Sequence, residues 1–406
     1  MIDLVSPDVV GMSGDQLARI SEHLKTHYVE PQKIPGAITL VARAGKPCFL
    51  DVQGQRDVER GTPMTEDTIV RIFSMTKPIT SLAMMTLHER GLFSLDDPVH
   101  RYIPGWRNLG VWTAGSYPLF ATEPVKRPMT IRDLLMHTSG LTYDFLRATN
   151  IDYAYRKEKV ALPREDYSLQ MMIDDLAKLP LEFSPGERWN YSVATDVLGY
   201  LVEHISGQRF SDYLQTTIFD PLGMNDTSFV ITADKTDRFA SCYERNLQKE
   251  MVLKDDGQAS DWVGRTFESG GGGLVSTVGD YYRFCQMLLA GGTLDGQRII
   301  GTRTLDFMTR NHIPGGDDMS EFATGGFSES AYNGVGFGLG FATKVDAVAN
   351  GHPGSVGSFF WGGLASTLFW VDPAEELVVI FMTQLMPSTT FNFRGQLENL
   401  IYAAIE

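Results

Sequence analysis

The sequence predicts an α+β fold, an α/β sandwich in which one antiparallel sheet is built from both chain ends and flanked by helices. A mostly helical subdomain is inserted between those ends. Three observations predict it. Short β-type runs crowd the first and last parts of the chain, helix-period runs dominate the middle, and 406 residues are too many for one ordinary core. The expected division puts residues 1–95 and 262–406 in the sheet subdomain and 96–261 in the helical one, with the functional site between them.

Taken in order, residues 14–27 place Leu17, Ile20 and Leu24 on one helix face. Apolar runs at 37–42 and 47–52 flank Arg43-Ala44-Gly45-Lys46, a hairpin with a glycine turn. A further short strand is expected at 69–72, running straight into Ser74. Helical patterns follow at 130–136, 168–179, 193–205 and 210–218, separated by long loops such as 104–128. Residues 252–262 read as polar and turn-rich, and a helix is expected at 278–289. The end of the chain turns to strand again: 332–341 alternates glycine with apolar residues, and 363–371 and 377–382 are joined by a turn at 372–375. A last helix is expected over 391–404.

Composition narrows the function. Hydrophobic content of 43% and charged content of 21% are those of a globular protein, and a net charge of −15 excludes a basic nucleic-acid surface or a polybasic membrane patch. The cysteines (Cys48, Cys242, Cys285) are scattered and show no Cys-x-x-Cys spacing, so neither a disulfide framework nor a zinc cluster is expected. The first residues lack a basic segment followed by an apolar run, and no run of about 18 apolar residues occurs. A cytoplasmic location without membrane association is therefore expected.

The chemistry-bearing stretch is Ser74-Met75-Thr76-Lys77-Pro78. Ser74 and Lys77, three apart, share one face of a helix whose first turn tolerates Pro78. A serine hydroxyl becomes a nucleophile when a neighbour takes its proton, and an amine does so once burial or nearby positive charge lowers its pKa. Alone, the pattern equally fits an N-cap serine with a solvated lysine. Tyr191, at a loop-to-helix junction after Ser184-Pro185-Gly186, is a candidate proton shuttle and equally a loop anchor. Backbone donors for an oxyanion are best sought near Trp361-Gly362-Gly363-Leu364, where glycines allow close approach; a glycine-bearing edge strand fits too.

These segments, in this order, resemble the serine β-lactamase-like family: class C β-lactamases, penicillin-binding carboxypeptidases, and the family VIII carboxylesterases with their acyltransferase relatives. The resemblance is carried by Ser74 to Lys77, the run from Met129 to Leu141 (MTIRDLLMHTSGL), Ser184-Pro185-Gly186 leading to Tyr191-Ser192, Pro221-Leu222-Gly223-Met224, and Gly271 to Thr277. It implies a β-lactamase/transpeptidase-like fold in which Ser74 is acylated and Lys77 and Tyr191 share the general-base and general-acid work. It further implies an oxyanion hole from the backbone N–H groups of Ser74 and Leu364, a substrate-binding strand at Trp361, Gly362 and Gly363, and no metal or organic cofactor.

Departures from the family bear on the substrate. The Tyr-x-Asn pattern of β-lactamases is here Tyr191-Ser192-Val193, which removes an amide that would hold an acylamino side chain. The Lys-Thr-Gly segment is missing, its place open to His352-Pro353-Gly354 or Trp361-Gly362-Gly363; the second suits the esterases, as does Tyr-Ser-x-x-x-Asp from Tyr191 to Asp196. Without that lysine the resemblance implies neutral acyl esters, a small-molecule substrate, and a serine carboxylesterase with weak β-lactamase side activity. The alternatives are a β-lactamase or D-amino-acid peptidase, an acyltransferase to a specific alcohol, or a non-catalytic sensor of the same fold.

Other signals fall away. His88 and His352 have no second histidine at metal spacing, Gly270 to Gly273 lacks the lysine of a phosphate loop, and no Gly-x-Ser-x-Gly elbow competes with Ser74. His137 is expected to shape a turn. Of the loop aromatics Trp106, Trp112, Tyr117, Phe120, Tyr143 and Phe145, some are expected to wall a pocket.

Overall fold

The computed structural model describes residues 2–162, 164, 166–324 and 329–406. Its main sheet takes strands from both ends of the chain. In chain order these are β1 (Gly36–Arg43), β2 (Lys46–Asp57), β3 (Thr62–Pro63), β4 (Val335–Phe337), β5 (Ala342–Lys344), β6 (Phe359–Gly363), β7 (Thr367–Asp372) and β8 (Leu377–Met382). They lie in the order β4-β5-β6-β7-β8-β1-β2-β3, every neighbouring pair antiparallel. The join between the two chain ends is the β1–β8 ladder, with Ile38 opposite Met382 and Arg43 opposite Leu377. Both strands are apolar without alternation and buried on both faces, as strands covered by helices on either side must be.

Helix α1 (Gly14–Leu24) packs against the C-terminal helix, while the helix over Val278–Leu289 lies on β7 and β8. Helix α2 (Thr76–Glu89) is the central one: residues Thr76 to Leu87 are all buried. A helix apolar or small on every side is stable only when surrounded. It is enclosed partly by α3 (Ala194–Ser206), the long helix of the middle region.

Several elements differ from expectation. The strand at 69–72 shrinks to Val70–Arg71 and pairs outside the main sheet, with Val275–Ser276. The stretch 332–341 is no single strand; it gives the three residues of β4 and then turns at Gly340, whose φ of 96° needs glycine. The run 363–371 is interrupted at Leu364 to Ser366, so that Phe359–Gly363 and Thr367–Asp372 form a hairpin. The loop 104–128 carries the exposed hairpin Gly110–Ser116/Leu119–Pro124. Met251–Asp255, within the polar stretch, pairs with Cys242–Arg245 in a small sheet completed by Leu385–Met386. A helix over Asn150–Glu158 was also missed, although Thr149 and Asp152 form its capping box.

Candidate active site

Ser74 lies in a single 3-10 turn, Phe73–Met75, that leads into α2. Phe73 has φ of 41°, a conformation a bulky side chain adopts only when its surroundings impose it. Those surroundings are visible. Ile72 N–H donates to Leu274 O, the Tyr281 hydroxyl donates to Met75 O at 2.9 Å, and the Phe73 ring meets Trp262 edge-on at 5.9 Å. The serine is thus presented from a turn fixed on both sides.

Lys77 Nζ, one turn along, is 3.2 Å from Ser74 Oγ and donates to Gly271 O at 2.6 Å. Burial drives its pKa down to about 7, while the charges of Asp196 and Glu329 oppose the shift. The ammonium also lies 4.5 Å from the centre of the Tyr191 ring. Asp196, on α3, is buried and accepts from the Ser269 hydroxyl and from Gly271 N–H. It therefore fixes the carbonyl that orients the lysine. A Cβ on residue 271 would come within 2.4 Å of Asp196 Oδ2 and 2.7 Å of the Tyr143 hydroxyl, so only glycine fits.

The Tyr191 hydroxyl donates to Ser74 Oγ at 2.6 Å. Its ring is stacked on Trp189 and tilted against Trp361, with centroids at 6.2 and 5.6 Å. Burial among these rings, with the charge of Glu329 adding to it, holds the phenol well above its ordinary pKa, so it is neutral. The loop that carries it rests on the segment after Met136: Gly186 N–H donates to Thr138 O, Asn190 N–H to His137 O, and Asn190 Nδ2 to Leu141 O. His137 forms that turn with φ of 58°, contacts Ser192 Oγ through Nδ1 at 3.1 Å, and is kept neutral by burial and the nearby Lys77 charge.

A cavity of about 200 Å³ opens over Ser74. Phe73, Tyr143, Phe145, Leu162, Trp262 and Leu364 give it apolar walls, and Arg265, Asp196 and Glu329 add charged groups. Leu364 lies just past the last β6–β7 pair, Gly363 opposite Thr367, so its N–H is outside the ladder. Gly363 abuts the segment before Ser74: a Cβ there would stand 2.3 Å from Ile72 O. Gly362 instead borders a neighbouring cavity of about 340 Å³ that also contains His352 and Arg394. Of the two candidates for the missing Lys-Thr-Gly, only the Trp361 segment approaches Ser74; Gly354 packs on Lys344 and Tyr402.

The chain belongs to the β-lactamase family. The model of that family, described as Beta-lactamase, matches residues 22–403. The chain is 35% identical over 358 residues to Protein Rv1367c of Mycobacterium tuberculosis, covering 87% of this chain and 86% of that one. To Esterase EstB of Burkholderia gladioli it is 31% identical over 394 residues, 93% of each. Among solved structures, unliganded simvastatin synthase (LovD) from Aspergillus terreus superposes with a TM-score of 0.79 at 25% identity, over 96% of this chain and 99% of that one. The protein is a serine hydrolase of the β-lactamase fold.

Sequence reasoning named Ser74, Lys77, Tyr191 and Leu364, which the fold brings together, and Trp361, Gly362 and Gly363, of which Gly362 borders the neighbouring cavity instead. It missed what holds them. Asp196 stood in a flagged motif and Gly271 in a flagged glycine run, but their contact joins α3 to a distant loop. Arg265 and Glu329 carried no local signal.

Proposed function

We propose that the protein is a serine carboxylesterase that hydrolyses short-chain acyl esters through an acyl-enzyme. The observation that carries this is Ser74 Oγ standing between Lys77 Nζ, at 3.2 Å, and the Tyr191 hydroxyl, at 2.6 Å. Neutral Lys77 takes the Ser74 proton as the oxygen attacks the ester carbonyl. Ser74 N–H and Leu364 N–H receive the oxyanion, with Trp361, Gly362 and Gly363 shaping the strand that the substrate meets. The neutral phenol of Tyr191 relays a proton to the departing alkoxide. Water then attacks the acyl-enzyme by the reverse sequence. No metal or organic cofactor takes part.

Ester rather than β-lactam chemistry is favoured by Val193, buried where an amide would be needed to hold an acylamino side chain. The EstB likeness agrees. In the proposed division into 1–95 with 262–406 and 96–261, the cavity draws Ser74 and Leu364 from the first part and Tyr143 and Asp196 from the second. A second reading, acyl transfer to an alcohol, is favoured by a likeness to Monacolin J acid methylbutanoyltransferase of Aspergillus terreus, 27% identical over 387 residues.

The test is a hydrolysis panel of 4-nitrophenyl butyrate, its anilide analogue and nitrocefin, on wild type and Ser74→Ala. Turnover of the ester above the other two, abolished in Ser74→Ala, is the expected result. Faster nitrocefin turnover overturns the ester assignment, and a new ester formed with added alcohol establishes transfer.

A further inference from the structure

The mechanism leaves the one cationic side chain among the described lining residues of the Ser74 cavity unused. Arg265 lines that cavity, with its guanidinium 4.3 Å from the centre of the Trp262 ring. Trp262 in turn braces Phe73, the residue before the nucleophile. The partly buried arginine has no ion pair or hydrogen bond among the described residues, and its Nε is out of contact with solvent and unpartnered. Arg164 also has an unpartnered Nε, but its terminal nitrogens donate to Glu158 O and Asp175 Oδ2, and two other buried guanidinium groups are bonded. Arg71 is paired with Asp255 and bonded to Ala240 O, and Arg394 donates to Phe369 O and Trp361 O.

A cation withdrawn from water without a partner is unfavourable unless something repays the lost hydration. None of the acids around the cavity, Asp144 included, forms an ion pair with Arg265 among the described residues, and Asp261 acts on it only through space. Asp196 is taken by Ser269 and Gly271 and acts on Arg265 only through space. Burial pushes the Glu329 carboxyl up to about 7, so it carries only part of a charge at neutral pH. The guanidinium lies over the Trp262 ring, and its terminal N–H groups have no partner among the described residues, so they can make the bidentate contact that suits a carboxylate.

We propose that Arg265 is the anion-recognition residue of the Ser74 cavity, and that the preferred substrates are esters carrying a carboxylate on their acyl or alcohol part. This rests on the ester reading above and refines it. The cation missing from the Lys-Thr-Gly position is supplied from a different segment, so the loss of that lysine does not make the substrate neutral.

The experiment uses two matched pairs: 4-nitrophenyl hydrogen adipate against its methyl ester, for a charge on the acyl side, and 3-acetoxybenzoate against methyl 3-acetoxybenzoate, for the alcohol side. In wild type, the carboxylate member of at least one pair is expected to show kcat/KM at least tenfold above its methyl ester, mainly through KM. In Arg265→Gln that ratio falls at least tenfold, and Arg265→Lys restores part of it. The pair that responds identifies the side bearing the charge. Equal kcat/KM within both pairs, or a wild-type ratio retained in Arg265→Gln, overturns the proposal. Turnover of the methyl esters that disappears in Ser74→Ala keeps the esterase assignment standing in that event. Failure of wild type to turn over any of the four overturns both.

Discussion

In the proposed mechanism Lys77 and Tyr191 divide the proton work between them, because burial acts on the two groups in opposite senses. It lowers the amine to about 7, where the neutral base is abundant, and raises the phenol well above its ordinary value, where it keeps its proton. The rate should therefore rise with pH through about 7 as Lys77 is deprotonated. Since the Glu329 charge raises the Lys77 pKa, the rising limb of kcat/KM should move to lower pH in Glu329→Gln; an unmoved limb assigns it to another group. Lys77→Met should lower kcat by about 10²- to 10⁴-fold, measured on 4-nitrophenyl butyrate. This part of the site was legible in the sequence because Ser74 and Lys77 are neighbours on one helical turn. Arg265 was not, and Asp196 was legible only as a motif position, since its contact with Gly271 joins α3 to a loop distant in sequence.

Among the elements, those with a sustained apolar run were readable and those made by irregular pairing were not. α2, α3 and the β1–β2 hairpin follow from their apolar runs, the hairpin also from its Gly45 turn. The Gly110–Ser116 hairpin is largely exposed and lacks a clean alternation, and Met251–Asp255 becomes a strand only because Cys242–Arg245 lies beside it. The helix over Asn150–Glu158 is short, and its signal lies in the Thr149 cap. That cap carries a pH dependence, because the Thr149 hydroxyl donates to Glu182, whose carboxyl is pushed up to about 7 by burial. A raised carboxyl pKa contributes stability fully below its ordinary value of 4.5, and that contribution is lost as pH rises through about 7. Glu182→Gln should accordingly raise Tm relative to wild type at pH 8 and give no gain at pH 5, as read by thermal melts at the two values.

At the scale of the whole molecule, the sheet drawn from both ends was foreseeable from where the β-type runs fall, but its order was not. That order depends on which apolar faces meet, and β1 from Ile38 onward meets the whole of β8. The far side of the sheet is tied to the C-terminal helix by a buried ion pair, Lys344 Nζ to Glu398 Oε2 at 2.8 Å, with both side chains almost wholly hidden. Removing one partner strands a buried charge, whereas replacing both with apolar groups removes the need for either. Lys344→Met should lose about 3–5 kcal/mol in urea unfolding, and Lys344→Met with Glu398→Leu should recover most of it. A double variant as unstable as the single one would show that the pair holds the helix by direction rather than by charge balance.

The β1–β8 ladder also sets a timetable. A ribosome delivers a chain from its first residue onward, so Ile38 is outside the tunnel long before Met382 exists to pair with it. Until then the β1–β2 hairpin has a bare apolar edge, the kind of edge that recruits other chains. The strand that closes it is made only after residues 44–376, and ribosomes stalled before residue 377 should hold nascent chains prone to aggregate and open to protease. Those released after residue 382 should not.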